Sequence, residues 1–282
     1  MKTCDEICSS ISFNLDDITS CCVSGLGPSP IYCDYTKTKE NINYIQKQQE
    51  MLNIINSNEI KNYKCNNCCY VKETQMPLKE TKYNLIIIRH WTACNCNCVY
   101  CNVKGEGSGL FPKYNPYNII KKLYNDNLID KENLVVHFQG GDIGVLKEFN
   151  SLVELFEENG FKRLDFCTNN IIFQPTIQRI ISKQKGTLSL SLDCGTSTTY
   201  KKIKGVDKFN QYIKNLKKYV NSVKDKNTIV VNYIIVLGIN DNKKEILKFF
   251  KLMKNIGIKN VGFRLDYNYA NFWTFQSVPL TD

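Results

Sequence analysis

From residue 85 onward, short apolar runs alternate with longer segments in which apolar residues and lysines recur every three to four positions. The runs LIIIRH (85–90), LVVHFQ (134–139), RLDFCT (163–168), TLSLSL (187–192), TIVVNYIIV (228–236) and VGFRLD (261–266) read as strands, rich in β-branched and aromatic side chains. Between them YNIIKKLYND, LKEFNSLVELFEENG, TIQRIISKQ, FNQYIKNLKKYVNSV and KKEILKFFKLMKNIG carry a helical period. Several end in Asn or Gly, as helix C-termini do. Strand–helix alternation predicts an α/β fold with a parallel sheet and helical crossovers. The units share no close repeat, so this is not a solenoid. Six strands are too few to close an eight-stranded barrel. They suit an open doubly wound sheet or a partial barrel, and in both the active site gathers at the carboxyl ends of the strands.

The first 80 residues have a different texture. They are cysteine-rich and irregular, with a turn-rich GLGPSP (25–30) and a charged helical stretch near 37–58. The expected division is a cysteine-rich N-terminal region over 1–80 and an α/β core over 81–282.

Composition narrows the setting. A chain of 282 residues can bury one large domain, or one medium domain plus an appendage. It has no run of about 18 apolar residues to span a membrane. Its N-terminus carries acids where a secretory signal would have its apolar core. The expected location is therefore a reducing cytoplasm, where 14 cysteines argue for metal or redox work over disulfides. The net charge of +10 comes from lysines spread among Asn and Ile, with no Arg-rich stripe and no basic run interleaved with aromatics. Nucleic acid is not an expected partner, and a weak preference for anionic substrates is as far as the charge goes.

The chemistry concentrates in CNCNCVYC (94–101), directly after the first of these strands. Cys94, Cys98 and Cys101 are spaced C-x3-C-x2-C, with Tyr100 just before the last and Cys96 between. A zinc site would pair Cys98 and Cys101 with Cys65 and Cys68, but 29 residues and a strand separate the pairs. A fully ligated ferredoxin-type cluster needs a fourth thiolate in its own spacing, which Cys96 supplies poorly. Three thiolates can instead hold a [4Fe–4S] cluster with one iron open, and an open metal position marks a catalytic site.

Here the chain resembles the radical S-adenosylmethionine (radical SAM) enzymes. C-x3-C-x2-C with an aromatic before the last cysteine, after the first strand of a (βα)6 partial TIM barrel, is similar to that family's signature. FQGGDIG after the second strand resembles its Gly-Gly-Glu motif, with Asp142 in place of Glu beside Gly140 and Gly141. CTNN at the third strand and SLSLDCGTSTTYKKIKG at the fourth are similar to stretches of maturase-like members, and NYIIVLGIND at the fifth adds Asn232 and Asn240.

The resemblance implies that Cys94, Cys98 and Cys101 ligate a [4Fe–4S] cluster whose open iron takes S-adenosylmethionine. It implies cofactor contacts from Tyr100, Gly140, Gly141, Asp142, Ser191, Asp193, Asn232 and Lys204, the last standing where relatives carry an Arg. The activity implied is reductive cleavage to a 5′-deoxyadenosyl radical that takes a hydrogen from substrate. An electron donor such as flavodoxin or ferredoxin is implied with it. A peptide is the favoured substrate, with a sugar, nucleotide or lipid precursor as the alternative. The rival from another class is a non-catalytic metal-binding or nucleic-acid adaptor.

ISFNLDDITSCC and YKCNNCC resemble halves of a SPASM-type auxiliary-cluster region, here before the barrel. That implies a second iron–sulfur or zinc site drawn from Cys21, Cys22, Cys33, Cys65 and Cys68, with free thiols as the alternative. Cys194, next to Asp193, is expected to face or flank the barrel mouth, where a thiol could return a hydrogen to a substrate radical; a buried structural cysteine is the favoured reading. His90 and His137 are expected to be satisfied imidazoles near strand ends. Arg264 is a ligand contact or an ion-pair member.

Overall fold

The structure, a computed structural model, describes residues 1–20, 31–34, 43–68, 71–74, 82–101, 109–266 and 276–279. Packing divides it into two units. One comprises 1–91, 112–137 and 151–162, the other 92–111, 138–150 and 163–282. The first unit takes in residues on both sides of position 80, and the second lies wholly after it.

The first unit contains β1 (Lys2–Cys4), α1 (Asp5–Ser9), β2 (Ser10–Phe13), β3 (Asp17–Thr19), β4 (Ile31–Asp34), α2 (Tyr44–Ile55), β5 (Val71–Glu73), β6 (Leu85–Ile88), α3 (Tyr117–Asn125) and most of β7 (Val135–Phe138) and α4 (Phe149–Asn159). The order of its main sheet is β7-β6-β2-β3-β4, and β1 pairs with β5. The N-terminal region is thus more regular than its sequence suggests. β2 runs parallel to β6, Ile11 opposite Ile86, and both residues are fully buried. This pairing draws the first strand of the α/β pattern into the N-terminal unit. His90 is buried here, 5.6 Å from the rings of both Trp91 and Tyr114.

The second unit contains β8 (Arg163–Thr168), α5 (Pro175–Ser182), β9 (Gly186–Ser191), α6 (Ser197–Lys204), α7 (Phe209–Ser222), β10 (Ile229–Ile235), α8 (Lys243–Ile256), β11 (Asn260–Leu265) and β12 (Gln276–Pro279). β8 to β11 are parallel neighbours, and β12 closes the edge antiparallel to β11. β6 to β11, each followed by helix as far as β10, have the order of the (βα)6 partial TIM barrel. All six strand readings fall on strands.

β9 explains how this unit packs. Its alternation gives one fully buried face, with Leu188 and Leu190, and one half-exposed face with Thr187, Ser189 and Ser191. The buried face belongs to an apolar layer in which Tyr233 of β10 meets Phe249 of α8 at 4.8 Å and Phe263 of β11 at 5.3 Å. α8 starts where the Asn242 side chain accepts from the Glu245 amide, and stops at Gly257 in the left-handed conformation. The half-exposed polar face and the carboxyl ends of these strands are left for chemistry.

Candidate active site

All the candidate ligands of the C-x3-C-x2-C cluster and of the cofactor lie in the second unit. The cysteine loop is fixed chiefly through its backbone. Thr92 and Ala93 donate their amides to the Leu110 carbonyl at 3.0 and 2.9 Å, and the Ala93 carbonyl accepts from the Asp142 amide at 2.9 Å. Asn97 and Val99 donate theirs to the carbonyls of Lys204 and Ile203, at 2.8 and 2.9 Å. Those carbonyls belong to the last turn of α6, where helical partners run out. Cys98 is therefore held between two bonds to one helix end. Asn169, just past β8, adds a side-chain contact: its Nδ2 donates to Asn95 Oδ1 at 2.5 Å and to Cys94 Sγ at 3.4 Å.

The thiols are already electronically uneven. Cys96 lies between Cys94 and Cys98 and hydrogen-bonds to both, so its own proton is held and its thiol is pushed up. Those bonds pull the other two down, against burial. Cys98 comes to about 6, helped by the Lys204 ammonium, and Cys94 is also lowered. Among the described residues no three His, Cys, Asp or Glu side chains are gathered as a ready metal site. The donor set nonetheless fits an iron–sulfur cluster chemically, with Cys98 and Cys94 both shifted toward the thiolate that metal requires. In metal-free protein at pH 7, iodoacetamide should label Cys98 and Cys94 first, and the buried Cys194 only after unfolding. Uniform labelling, read by peptide mass spectrometry, would remove this ranking.

Beside the loop, Gly140 takes φ 141°, a backbone geometry suited to glycine. Gly141 is required by close approach, because a Cβ there would sit 1.9 Å from the Ala93 carbonyl oxygen. Asp142 is fully buried. Its carboxylate accepts from Thr168 Oγ1 at 2.8 Å, the Asn169 amide at 2.7 Å and the Gly144 amide at 2.8 Å. Burial raises its pKa and these donors only partly offset that. The shorter Asp thus ties the end of β8 to the cysteine loop.

A second knot forms past β9. Asp193, in the left-handed conformation at φ 63°, is fully buried and pairs with the equally buried Lys204. Tyr100 donates to Asp193 Oδ2 at 2.5 Å and accepts from Lys204 Nζ at 2.6 Å. Ser191 Oγ adds a bond to Asp193 Oδ2 at 3.2 Å, and the Ile234 amide meets Oδ1 at 2.7 Å. Burial acts to discharge Lys204, but Asp193, then Tyr100 and Cys98, outweigh it and hold the ammonium charged. Sequence reading assigned Tyr100, Ser191, Asp193 and Lys204 to the cofactor. The structure joins them to each other first, and the Lys204 ammonium is engaged by Asp193 and Tyr100.

Asn232 donates Nδ2 to Ser189 Oγ at 2.7 Å, while its buried Oδ1 has no hydrogen-bond partner. An unmet buried acceptor beside Ser189 and Ser191 suits a cradle that a polar ligand completes. Cys194 is fully buried, and burial together with Asp193 pushes its thiol well up. Of the second cysteine set, Cys21 and Cys22 lie outside the described residues, Cys33 is described only by its backbone in β4, Cys65 is buried and Cys68 half-buried.

Two residues that sequence reading passed over organise this region. Asn169 was visible only as part of CTNN. Glu245 lay within what reads as a surface helix, although N-x-x-E at 242–245 was a legible cap. Its carboxylate instead accepts from the Gly195 and Thr196 amides at 2.8 and 3.0 Å, fixing the turn after Asp193.

A family profile described as the Radical SAM superfamily matches residues 88–253. A probable GTP 3′,8-cyclase of Saccharolobus islandicus is 23% identical over 186 residues, 66% of this chain and 56% of that one. Streptococcus suis SuiB bound to precursor peptide SuiA is similar in structure at TM-score 0.53 and 17% identity, covering 84% of this chain and 48% of SuiB. The protein anSMEcpe with bound AdoMet gives 0.51 and 18%, covering 64% of this chain and 51% of that one. At these identities the structural likeness is one of fold. The chain spans about half the length of the curated relatives it matches.

Proposed function

This chain belongs to the radical SAM superfamily, and we propose that it is a hydrogen-abstracting enzyme working through Cys94, Cys98 and Cys101. These three thiolates would hold a [4Fe–4S] cluster, which would supply reductive cleavage of S-adenosylmethionine to a 5′-deoxyadenosyl radical. The carrying observation is the cysteine loop itself. Two of its three ligand thiols are shifted toward the thiolate, and the Gly141 backbone lies against the residue before the first of them.

Within this reading the residues divide the work. The backbone of Gly140 and Gly141 lets the cofactor approach, and the Asp142 carboxylate is the acceptor for its ammonium group. Ser191 and the unmet Oδ1 of Asn232 face its polar parts. Tyr100, Asp193 and Lys204 hold the loop and the turn from behind. An external low-potential carrier, flavodoxin or ferredoxin in type, delivers the electron.

A peptide is the favoured substrate, supported by the maturase-like stretch at β9 and α6. A nucleotide or other small molecule is the second reading, favoured by the GTP 3′,8-cyclase relatives. A second metal site from Cys21, Cys22, Cys33, Cys65 and Cys68 belongs to the same proposal, as a clip or auxiliary cluster for the N-terminal segment.

After anaerobic reconstitution, the chain should form 5′-deoxyadenosine from S-adenosylmethionine under dithionite, measured by liquid chromatography. A chain that retains zinc, stays colourless and yields no deoxyadenosine would instead be the non-catalytic adaptor.

A further inference from the structure

The Lys204–Asp193 pair is costly for a pair that serves only to fasten. Dehydrating two charges is commonly neutral or unfavourable against well-packed apolar residues of similar size. Lys204 is 1% exposed and Asp193 not at all. The pair is also sited with care. The carbonyl of Lys204 itself and that of Ile203 receive the amides on either side of Cys98. The Lys204 ammonium lies 5.1 Å from the centre of the Tyr100 ring and bonds to its hydroxyl, and Tyr100 immediately precedes Cys101. Both charges therefore stand directly behind the loop that carries Cys98 and Cys101, joined to it through Tyr100 and the last turn of α6.

We propose that this buried pair sets the potential at which the bound cluster accepts its electron, Lys204 raising it and Asp193 lowering it. The idea rests on the reading that Cys98 is a cluster ligand. One electron arrives from a low-potential donor and no bond is made or broken. What changes is the negative charge beside two fixed charges in a poorly screening interior, where Coulomb interactions are strong. Hydrogen bonding and burial around the sulfurs tune such potentials generally. Here the tuning group is a full cation whose counter-ion is one residue short of Cys194, held in place by the Ile234 amide and by Asn240, which donates to the Asp193 carbonyl at 2.8 Å. Lys204 and Asp193 are positioning residues in this sense, since neither has surface to offer a substrate.

The test is a redox titration of the reconstituted full chain, followed by the EPR signal of the reduced cluster. Lys204→Met should lower the reduced-to-oxidised ratio at a fixed potential by about tenfold, 59 mV for one electron. Asp193→Asn, which keeps a residue tolerant of the left-handed conformation, should raise it by a similar factor. The double variant should return to within about threefold of the wild type, and Lys204→Arg to within about twofold. A merely structural pair would move both single variants the same way, or move neither, and either result overturns the proposal. If the single variants take up no cluster, Ser191→Ala carries the test, because it removes one donor from Asp193 without uncovering a charge. A fall in the ratio is expected, and an unchanged or raised ratio overturns the idea. A wild-type chain with no reducible signal would overturn the cluster reading and this proposal together. An intact signal that ignores the charges would overturn this proposal alone.

Discussion

Replacing Cys94, Cys98 and Cys101 together by alanine should abolish the reducible iron–sulfur EPR signal and reduce deoxyadenosine formation to background. The fold should survive. The loop is held by the amides of Asn97 and Val99 and by the Ala93 carbonyl, none of which needs a thiol. Cys94 is exposed, and Cys98 and Cys101 are partly so, so the cost of each change should stay near about 0.5 kcal/mol. Circular dichroism and the melting temperature should therefore change little while iron and sulfide are lost. Cys96→Ala is the control, and it should keep its cluster. A signal that persists in the triple variant would mean that other cysteines carry it.

The second large effect is expected at Gly141. The Cβ of Gly141→Val would fall 1.9 Å from the Ala93 oxygen, 2.6 Å from its carbonyl carbon and 2.7 Å from the Thr92 carbonyl carbon. All three atoms are backbone, so no rotamer change can relieve the overlap. Overpacking of this kind costs about 1–3 kcal/mol, enough to weaken S-adenosylmethionine binding roughly tenfold to a hundredfold. Because Ala93 directly precedes Cys94, iron content should fall as well, and Gly141→Ala should reproduce most of the loss. Calorimetry and iron analysis read the two effects separately. Cofactor affinity equal to wild type would remove FQGGDIG from the site.

The core strands were legible because their burial is periodic. RLDFCT and TLSLSL announce a buried and a half-exposed face by simple alternation. α6 was harder to see. STTYKKIK carries only Tyr200 and Ile203 as buried apolar residues, and its third buried position is Lys204, a residue type seldom fully buried. β1 to β4 are three or four residues long, too short for any period to register. Asp142 could be read as the acid of a glycine motif, but its bonds to Thr168 and Asn169 could not, since they depend on how far the end of β8 lies from the turn. Tyr100 could be recognised as the aromatic of the cysteine motif, but not as a link between a buried cation and a buried carboxylate.

The grip of α6 on the cysteine loop has an evolutionary corollary. What the helix end receives from positions 97 and 99 is an amide hydrogen, which every residue except proline provides. The side chains at 97 and 99 can therefore drift while the loop keeps its shape, and selection on them is freed to act on solubility, on docking of the reductant, or on shielding from oxygen. Asn and Val at 97 and 99 are then one spelling among many, whereas Asn95, Cys96 and Tyr100 are each tied to a neighbour through the side chain.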